Sequence, residues 1–323
     1  MKALVYEGPE DLRFADAPDP VAGAGEQLIK IEAVGICGSD MHAFLGHDAR
    51  RPAPLILGHE VAGTIVGGKK DGTPVTVNPL VTCGKCEACT SGRTNLCADR
   101  QIISMPPRAG GFAQFVVMPN RNLVVVPDDM ALSAAALAEP IACGWHTARM
   151  CRRAVPRGRN ALVIGGGAIG LGAALSLVAQ GVLDVTIAEP NAIRATYLRD
   201  VCDQTVVSPD DLPKGGTFDI VIDAVGYAGT RAAASAQAKA GGVIGHIGLG
   251  EDRGGLDVRR MTLQEIHFIG TYTYTAQDFR DTAAAMFDGR LGALNWVEER
   301  PLSEGSQAFA DIRSGGVAAP KII

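Results

Sequence analysis

The sequence has few aromatic residues and no excess of positive charge. Phe, Trp and Tyr make up 5% of the 323 residues, and 30 Lys and Arg stand against 35 Asp and Glu, which gives a formal net charge of −5. A chain without a basic excess lacks the electrostatic footprint of a nucleic-acid-binding protein, so we predict no nucleic-acid partner. The aliphatic and glycine-rich remainder is more typical of buried parallel strands than of an all-β sandwich.

Long hydrophobic runs are also missing, apart from one segment that imitates a membrane span. Residues 161–183 carry no charge, but they include six glycines, and Asp184 follows them directly. A buried strand, a glycine turn and a buried helix produce the same pattern. The acidic Glu7 comes too early for a secretory signal. We therefore predict a cytoplasmic protein without a membrane partner.

The sequence pattern changes once along the chain. Short β-branched segments separated by turns run to about residue 125, whereas strands and helices alternate after Gly158. This alternation predicts an α/β fold with a doubly wound parallel sheet, and the length favours two domains. Between the two patterns, an alanine-rich stretch from Ser133 to Arg153 predicts two helices that divide near Pro140, because proline disfavours the helical state of the residue before it.

The strongest local motif is a run of four cysteines with C-x2-C-x2-C-x7-C spacing. Its members are Cys83, Cys86, Cys89 and Cys97. Four thiolates on one loop can surround Zn²⁺ tetrahedrally at about 2.3 Å and leave no open position, which predicts a structural zinc site. An iron–sulfur cluster and a disulfide pair are the alternatives, although ferredoxin-type runs continue with a three-residue gap and a proline.

The second motif is a G-x-G-x-x-G sequence that follows an apolar strand and precedes a predicted helix. Gly165 permits a tight turn, Gly167 lets the backbone approach a pyrophosphate, and Gly170 allows close packing of helix and strand. Glu189 ends the next predicted strand, where its carboxylate can accept hydrogen bonds from ribose hydroxyls. That carboxylate would repel a 2′-phosphate, so we predict NAD as the cofactor. An ordinary glycine turn is the alternative.

Further candidate cofactor contacts surround this motif. Arg194 can cover the adenine face or lie on a solvated helix. We also predict contributions to the cofactor site from Ile169, Val225, Ile247 and Tyr272.

A third, more diffuse signal lies in the strand-rich region. The segments G-I-C-G-S-D-M-H and G-H-E place Cys37 and His59 as candidate ligands of a second metal ion. His59-Glu60 begins like H-E-x-x-H, but Gly63 occupies the position of the second histidine, which excludes a metalloprotease helix. A buried thiol and a core histidine are the alternatives.

Taken together, these motifs resemble the zinc-dependent medium-chain alcohol dehydrogenases, in particular the sorbitol (polyol) and threonine 3-dehydrogenase branch. The resemblance extends over nearly the whole chain and implies a catalytic zinc held by Cys37, His59 and Glu139 of A-E-P. Glu60 is similar to the family glutamate that hydrogen-bonds nearby or replaces a ligand. For Glu139, an acid favoured by a helix dipole is the alternative.

The resemblance also implies how protons and substrate are handled. Ser39 takes the proton of the alcohol and passes it through the nicotinamide ribose to His42 at the surface, and Tyr274 contacts the substrate together with Glu139. Sorbitol dehydrogenases often have Arg-Tyr where this chain has Thr273-Tyr274, so the substrate is not specified as sorbitol.

These observations predict a two-domain enzyme. We expect a GroES-like catalytic domain of residues 1–143 and 275–323 and a Rossmann NAD-binding domain of residues 144–274. The expected reaction is zinc- and NAD-dependent oxidation of a secondary alcohol, a polyol or sugar alcohol, to a ketone, with two zinc ions per chain. L-threonine 3-dehydrogenase and a non-catalytic NAD-binding protein with only the structural zinc are the alternatives. The resemblance implies a homodimer or homotetramer.

Overall fold

The computed structural model describes all 323 residues, which form two compact units. The first unit comprises Met1–Glu139, Thr275–Asp288 and Val297–Ile323, and the second comprises Pro140–Tyr274 and Gly289–Trp296. No helix combines the length and the apolar character needed to cross a membrane.

The first unit begins with ten short strands and three short helices. The strands are β1 (Lys2–Gly8), β2 (Asp11–Asp16), β3 (Glu26–Gly35), β4 (Leu55–Ile56), β5 (Glu60–Val66), β6 (Pro74–Val77), β7 (Leu80–Val81), β8 (Gln101–Ile102), β9 (Phe115–Pro119) and β10 (Leu123–Val125). The helices are α1 (Gly38–Phe44), α2 (Glu87–Thr90) and α3 (Leu132–Ala135).

An antiparallel sheet of five strands, in the order β10-β6-β5-β3-β9, organises this unit. Ile29, Val61 and Val116 lie in the apolar cluster that covers one of its faces. β9 begins at Phe115, and Phe112 before it donates from its N–H to Leu57 O in a loop instead of extending the sheet.

Pro140 does not separate two helices, contrary to the prediction. The long helix α4 runs over Ala138–Ala154, and the break from α3 falls at residues 136–137. Pro140 lies in the first turn of α4, where the missing N–H has no intrahelical acceptor and therefore costs little. Glu139 occupies the same first turn.

The second unit has alternating strands and helices. Its strands are β11 (Asn160–Ile164), β12 (Asp184–Ala188), β13 (Thr205–Val207), β14 (Phe218–Asp223), β15 (Ala238–His246) and β16 (His267–Gly270). Its further helices are α5 (Ala168–Ala179), α6 (Ala192–Asp200), α7 (Ala228–Gln237) and α8 (Val258–Leu263).

All six strands of the second unit are parallel, in the order β13-β12-β11-β14-β15-β16. From β11 the chain builds the sheet toward one edge through β12 and β13, and from β14 it builds toward the other edge through β15 and β16. Ligands of such sheets bind at the carboxyl ends of the strands where the strand order reverses, here between β11 and β14. Residues 161–163 are fully buried, as expected for a central strand covered on both faces. The predicted fold class is confirmed.

The last part of the chain adds α9 (Ala276–Phe287), β17 (Val297–Glu298), α10 (Gly305–Ser314) and β18 (Lys321–Ile322). α9 begins at Ala276, because Thr275 caps its N-terminus through a hydrogen bond from the Asp278 N–H. The Ile36 N–H donates to Ile322 O at 3.0 Å, which places the chain end beside the end of β3.

Candidate metal centres and dinucleotide site

Four thiols converge on one loop of the first unit. The sulfur atoms of Cys83, Cys86, Cys89 and Cys97 all lie within 4.8 Å of one another, and Cys83 Sγ is 3.9 Å from Cys89 Sγ. Tetrahedral Zn²⁺ with bonds of about 2.3 Å places its sulfur ligands about 3.8 Å apart. All four cysteines are free, so the structure contains no disulfide in this loop. The loop fits a closed zinc site.

Backbone groups and burial act differently on two of these thiols. The N–H groups of Lys85 and Cys86 lower the pKa of Cys83 to about 6. Burial raises the pKa of Cys97 to about 11. Because the thiolate is the metal ligand, the N–H groups of the loop favour the form of Cys83 that binds a cation.

A second ligand cluster forms where two paired strands meet their loops. β3 and β5 are antiparallel, and their register places Gly35 opposite Glu60. Cys37 follows β3 as the N-cap residue of α1, and His59 directly precedes β5. The candidate ligand atoms of Cys37, His59 and Glu60 consequently lie within 4.8 Å of one another.

The donors of this cluster fit a divalent metal ion. Glu60 Oε2 is buried and has no hydrogen-bond partner. A Cβ at Gly35 would collide with this oxygen, so glycine keeps the space for the carboxylate. Thiolate, imidazole and carboxylate are all zinc ligands, and three protein ligands leave a fourth position open.

Asp40 supports the histidine of this cluster. The fully buried Asp40 carboxylate accepts from the Cys37 N–H at 3.0 Å and the Gly58 N–H at 3.3 Å. Its Oδ1 lies 3.5 Å from His59 Nδ1. Burial by itself would lower the pKa of His59, but the Asp40 carboxylate holds it well above its ordinary value. His59 Nδ1 has no hydrogen-bond partner, so Asp40 acts on the imidazole through its charge at this distance.

Lys321, which the sequence analysis did not identify, pairs with Glu60. Lys321 Nζ lies 2.6 Å from Glu60 Oε1 and donates to Ile36 O at 2.7 Å. Both charged side chains are buried, with 3% and 0% exposure. Burial would lower the pKa of Lys321, but the charges of Glu60, Cys37 and Glu139 raise it. The sequence feature that could have indicated this role is that Lys321 is the one charged residue in the segment Lys321-Ile322-Ile323.

We expect Lys321→Met to lower the free energy of unfolding by about 3–5 kcal/mol, because it leaves the buried Glu60 carboxylate without its partner. Denaturant unfolding measures the loss. Lys30→Met is the matched control, since Lys30 pairs with Glu32 on the surface at 57% and 39% exposure and such pairs contribute at most about 1 kcal/mol. Equal losses in the two variants would contradict the importance of the buried pair.

The predicted proton-relay residues lie on α1. Ser39 is partly buried and His42 is exposed. The buried Arg51 donates to Ser39 O at 2.6 Å and approaches Ser39 Oγ at 3.4 Å. Arg51 therefore fixes the start of α1 on the side of Ser39, a contact that the sequence analysis did not anticipate.

The three glycines of the fingerprint in the second unit differ in their surroundings. Gly165 has a φ of +96°. A Cβ at Gly170 would collide with Gly165 O, whereas a Cβ at Gly167 would meet nothing within 4 Å. Gly165 thus makes the turn, Gly170 allows close packing, and the open N-cap position Gly167 offers backbone donors at the start of α5. This cradle fits a dinucleotide phosphate.

Glu189 follows β12 and is held by the backbone. Its Oε2 accepts from the Gly166 N–H and its Oε1 accepts from the Asn191 N–H, both at 2.8 Å. Arg194 lies 3.8 Å from Oε2. A carboxylate has about four acceptor sites, so Glu189 retains capacity for ribose hydroxyls. That role of Glu189 and the adenine contact of Arg194 stay predictions.

The other predicted cofactor residues lie where Rossmann ligands bind. Val225, Ile247 and Tyr272 come within two residues of the carboxyl ends of β14, β15 and β16, and Ile169 lies in the first turn of α5. Their contacts with a cofactor stay predictions.

Glu139 and Tyr274 are both buried. Glu139 is 6% exposed, and its charge acts on Lys321, the partner of Glu60, although its oxygens are not among the ligand atoms of Cys37, His59 and Glu60 that lie within 4.8 Å of one another. Tyr274 is fully buried. Their assignments as third ligand and substrate contact stay predictions.

Comparison with known proteins identifies the family. Residues 23–128 match the alcohol dehydrogenase GroES-like domain, and residues 168–288 match the zinc-binding dehydrogenase domain. The chain is similar to L-galactonate-5-dehydrogenase of Escherichia coli, with 33% identity over 91% of this chain and 89% of the relative. Sorbitol dehydrogenase of Bacillus subtilis is also 33% identical, over 85% and 82% of the two chains.

Among solved structures, acetophenone reductase from Geotrichum candidum in complex with NAD has a TM-score of 0.87 and 26% identity, covering 99% of this chain and 96% of the other. The chain belongs to the zinc-dependent medium-chain alcohol dehydrogenases. The predicted family and the prediction of an enzyme are confirmed. The four-cysteine loop of this dehydrogenase is accordingly a zinc loop, and the iron–sulfur alternative is dropped.

In this dehydrogenase, we expect Glu189→Gln to reduce the ratio of kcat/KM for NAD over NADP by about 10- to 100-fold. The amide keeps the acceptor for the Gly166 N–H but removes the negative charge, and hydrogen bonds to charged groups contribute about 1.5–3 kcal/mol. Steady-state kinetics with both cofactors measure the ratio. Asp184→Asn, at the opposite end of β12, is the control, and equal ratios in both variants would contradict the role of Glu189.

Sequence reasoning missed a buried carboxylate in the dehydrogenase's second unit. Asp223, at the end of β14, accepts from the Val225 N–H at 3.0 Å and the Gly226 N–H at 2.9 Å. Burial would raise its pKa, but His246, whose Nδ1 is 3.3 Å away, and these N–H groups hold the pKa below its usual value. Asp223 thus shapes the backbone beside the glycine fingerprint.

Proposed function

We propose that this chain oxidises a secondary alcohol, a polyol or sugar alcohol or a related sugar acid, to a ketone with NAD. The observation that carries the proposal is the metal cluster of Cys37, His59 and Glu60 in a chain that also holds the dinucleotide cradle at Gly165–Gly170. The names of the relatives, a galactonate and a sorbitol dehydrogenase, support the substrate class. The NAD complex of acetophenone reductase supports the cofactor.

Cys37, His59 and one carboxylate, Glu139 or Glu60, would hold the catalytic zinc, which when bound lowers the pKa of a substrate hydroxyl while NAD accepts the hydride. The Asp40 carboxylate lies beside the His59 ring, with Oδ1 3.5 Å from Nδ1. Ser39 Oγ takes the hydroxyl proton, and the exposed His42 on the same helix releases it to water. Arg51 holds Ser39 at its carbonyl and hydroxyl oxygens.

The functional division follows the sequence prediction. Residues 1–143 and 275–323 would form the catalytic domain, and residues 144–274 the NAD-binding domain, with Gly165, Gly167, Ile169, Gly170 and Glu189 contacting the cofactor. Tyr274 and Glu139 would face the substrate.

We further propose a cytoplasmic homodimer or homotetramer. All eight cysteines are free, as expected in a reducing compartment. The edge strand β16 is unpaired on one side and largely exposed, and it carries Phe268 at 37% exposure. Edges of this kind are templates for pairing with another chain.

A substrate screen tests the proposal. Chelator-treated enzyme is reloaded with Zn²⁺, and NADH absorbance is followed with polyols, sugar acids, simple secondary alcohols and L-threonine, while metal content is measured in parallel. Zn²⁺-dependent turnover of a polyol or sugar acid is the expected result. Preference for L-threonine would indicate an amino-alcohol dehydrogenase instead of a polyol dehydrogenase. One zinc per chain without turnover would indicate a non-catalytic NAD-binding protein.

A further inference from the structure

Helix α9 depends on a distant residue for one hydrogen bond at its N-terminus. The first N–H groups of a helix have no partner within it. Thr275 satisfies the Asp278 N–H, at 3.1 Å from its Oγ1. The Ala276 N–H instead donates to Thr94 Oγ1 at 2.8 Å, across 182 positions of sequence. Because an amide N–H can only donate, the Thr94 hydroxyl is the acceptor.

Thr94 belongs to the zinc loop, defined here as residues 83–97. It begins the short 3-10 helix Thr94–Leu96, and its carbonyl accepts from the Cys97 N–H at 3.1 Å. Cys97 is fully buried, and its Sγ accepts from the Cys83 N–H at 3.5 Å. Thr94 is thus bonded on one side to a ligand of the structural zinc and on the other side to α9.

The start of α9 is buried and closed by its own cap. Asp278 and Phe279 are both 1% exposed, and Asp278 Oδ2 accepts from the Thr275 N–H and hydroxyl. The first turn of α9 is therefore held by this cap and by the Thr94 hydroxyl together.

We propose that Thr94 is a positioning residue through which the zinc loop fixes the first turn of α9. The structural zinc then does more than stabilise its own loop, because the folded loop also holds the start of a helix that lies 182 positions further along the chain.

The experiment compares Thr94→Val with Thr90→Val in the zinc-loaded full-length enzyme. Both changes replace a hydroxyl by a methyl group of similar size in the same loop. The Thr90 hydroxyl bonds only within its own turn, to Cys86 O and Glu87 O at 3.2 Å. Thr94→Ser keeps the acceptor and is the rescue variant. Zinc content is measured for each variant, and two ions per chain are expected in all of them.

Hydrogen exchange at the Ala276 amide is the readout. Loss of the acceptor in Thr94→Val is expected to accelerate exchange about ten-fold, whereas Thr90→Val and Thr94→Ser exchange like the wild type. Cys97→Ser is expected to accelerate exchange at the Ala276 amide to the same extent. Combining it with Thr94→Val is expected to cause no further acceleration, because both variants break the same connection between the zinc loop and α9. Unchanged exchange in Thr94→Val, or fully additive effects in the double variant, would overturn the coupling.

The exchange measurements do not depend on the proposed function. If the wild type oxidises no alcohol, the proposed function fails, and the exchange measurements still decide the coupling. If Thr94→Val gives no folded protein, Thr94→Ala replaces it.

Discussion

Replacing His59 by alanine is expected to lower kcat about a thousand-fold or more and to reduce the zinc content from two ions per chain to one. His59 is a 7% exposed member of the ligand cluster with Cys37 and Glu60. A catalytic metal contributes several kcal/mol to stabilising transition-state charge, and roughly 4 kcal/mol corresponds to about a thousand-fold in rate. Steady-state kinetics with parallel metal analysis measure both effects.

NADH binding is the control for this variant. The dinucleotide cradle is in the other unit, so the dissociation constant measured by NADH fluorescence is expected to stay within about two-fold of the wild type. His267→Ala, which removes an exposed histidine of β16, is expected to leave kcat and zinc content unchanged. A His59→Ala enzyme with two zinc ions and normal turnover would remove the basis of the proposed mechanism.

Replacing Cys97 by serine is expected to release the structural zinc and lower Tm by about 5–10 °C. Metal bound at a structural site contributes directly to folding free energy, and about 1 kcal/mol corresponds to a shift of about 2–4 °C in a large domain. Cys97 is the fully buried member of the zinc loop, so serine in its place also leaves a poorer ligand in a site closed to water. Thermal unfolding and metal analysis measure the outcome.

Cys202→Ser separates loss of the metal from loss of a thiol. Cys202 is partly buried and belongs to neither ligand cluster, and burial raises its pKa to about 11. This variant is expected to keep two zinc ions and to lose less than about 1–2 kcal/mol of stability. A Cys97→Ser protein that keeps both ions, or melts like Cys202→Ser, would contradict the structural role of the four-cysteine loop.

The sequence predicted those parts of the site whose members are close together along the chain. The four cysteines lie within a segment of 15 residues, and four thiolates so close together on one loop favour tetrahedral coordination of a metal ion. The glycine fingerprint is similarly local: the turn at positive φ at Gly165 and the tight helix–strand contact at Gly170 each need glycine for a steric reason, and Gly167 between them leaves the N-cap open.

The division of α3 and α4 shows where a local rule failed. The restriction that proline places on its predecessor suggested a break at Pro140, but a first-turn proline is compatible with a helix, and burial of residues 135–142 holds the chain there. Packing, which the local pattern does not contain, decided where the helix begins.

By itself, the sequence determined the four-cysteine motif, the dinucleotide cradle and the order of strands and helices, because these depend on near neighbours and hydrophobic period. Only the tertiary structure decided that Glu60 lies beside Cys37 and His59, that Lys321 pairs with Glu60 from 261 positions away, and that the Thr94 hydroxyl accepts from the first N–H of α9. A buried charge or amide takes whichever partner the folded chain brings within hydrogen-bond distance, and separation along the sequence carries no information about that partner.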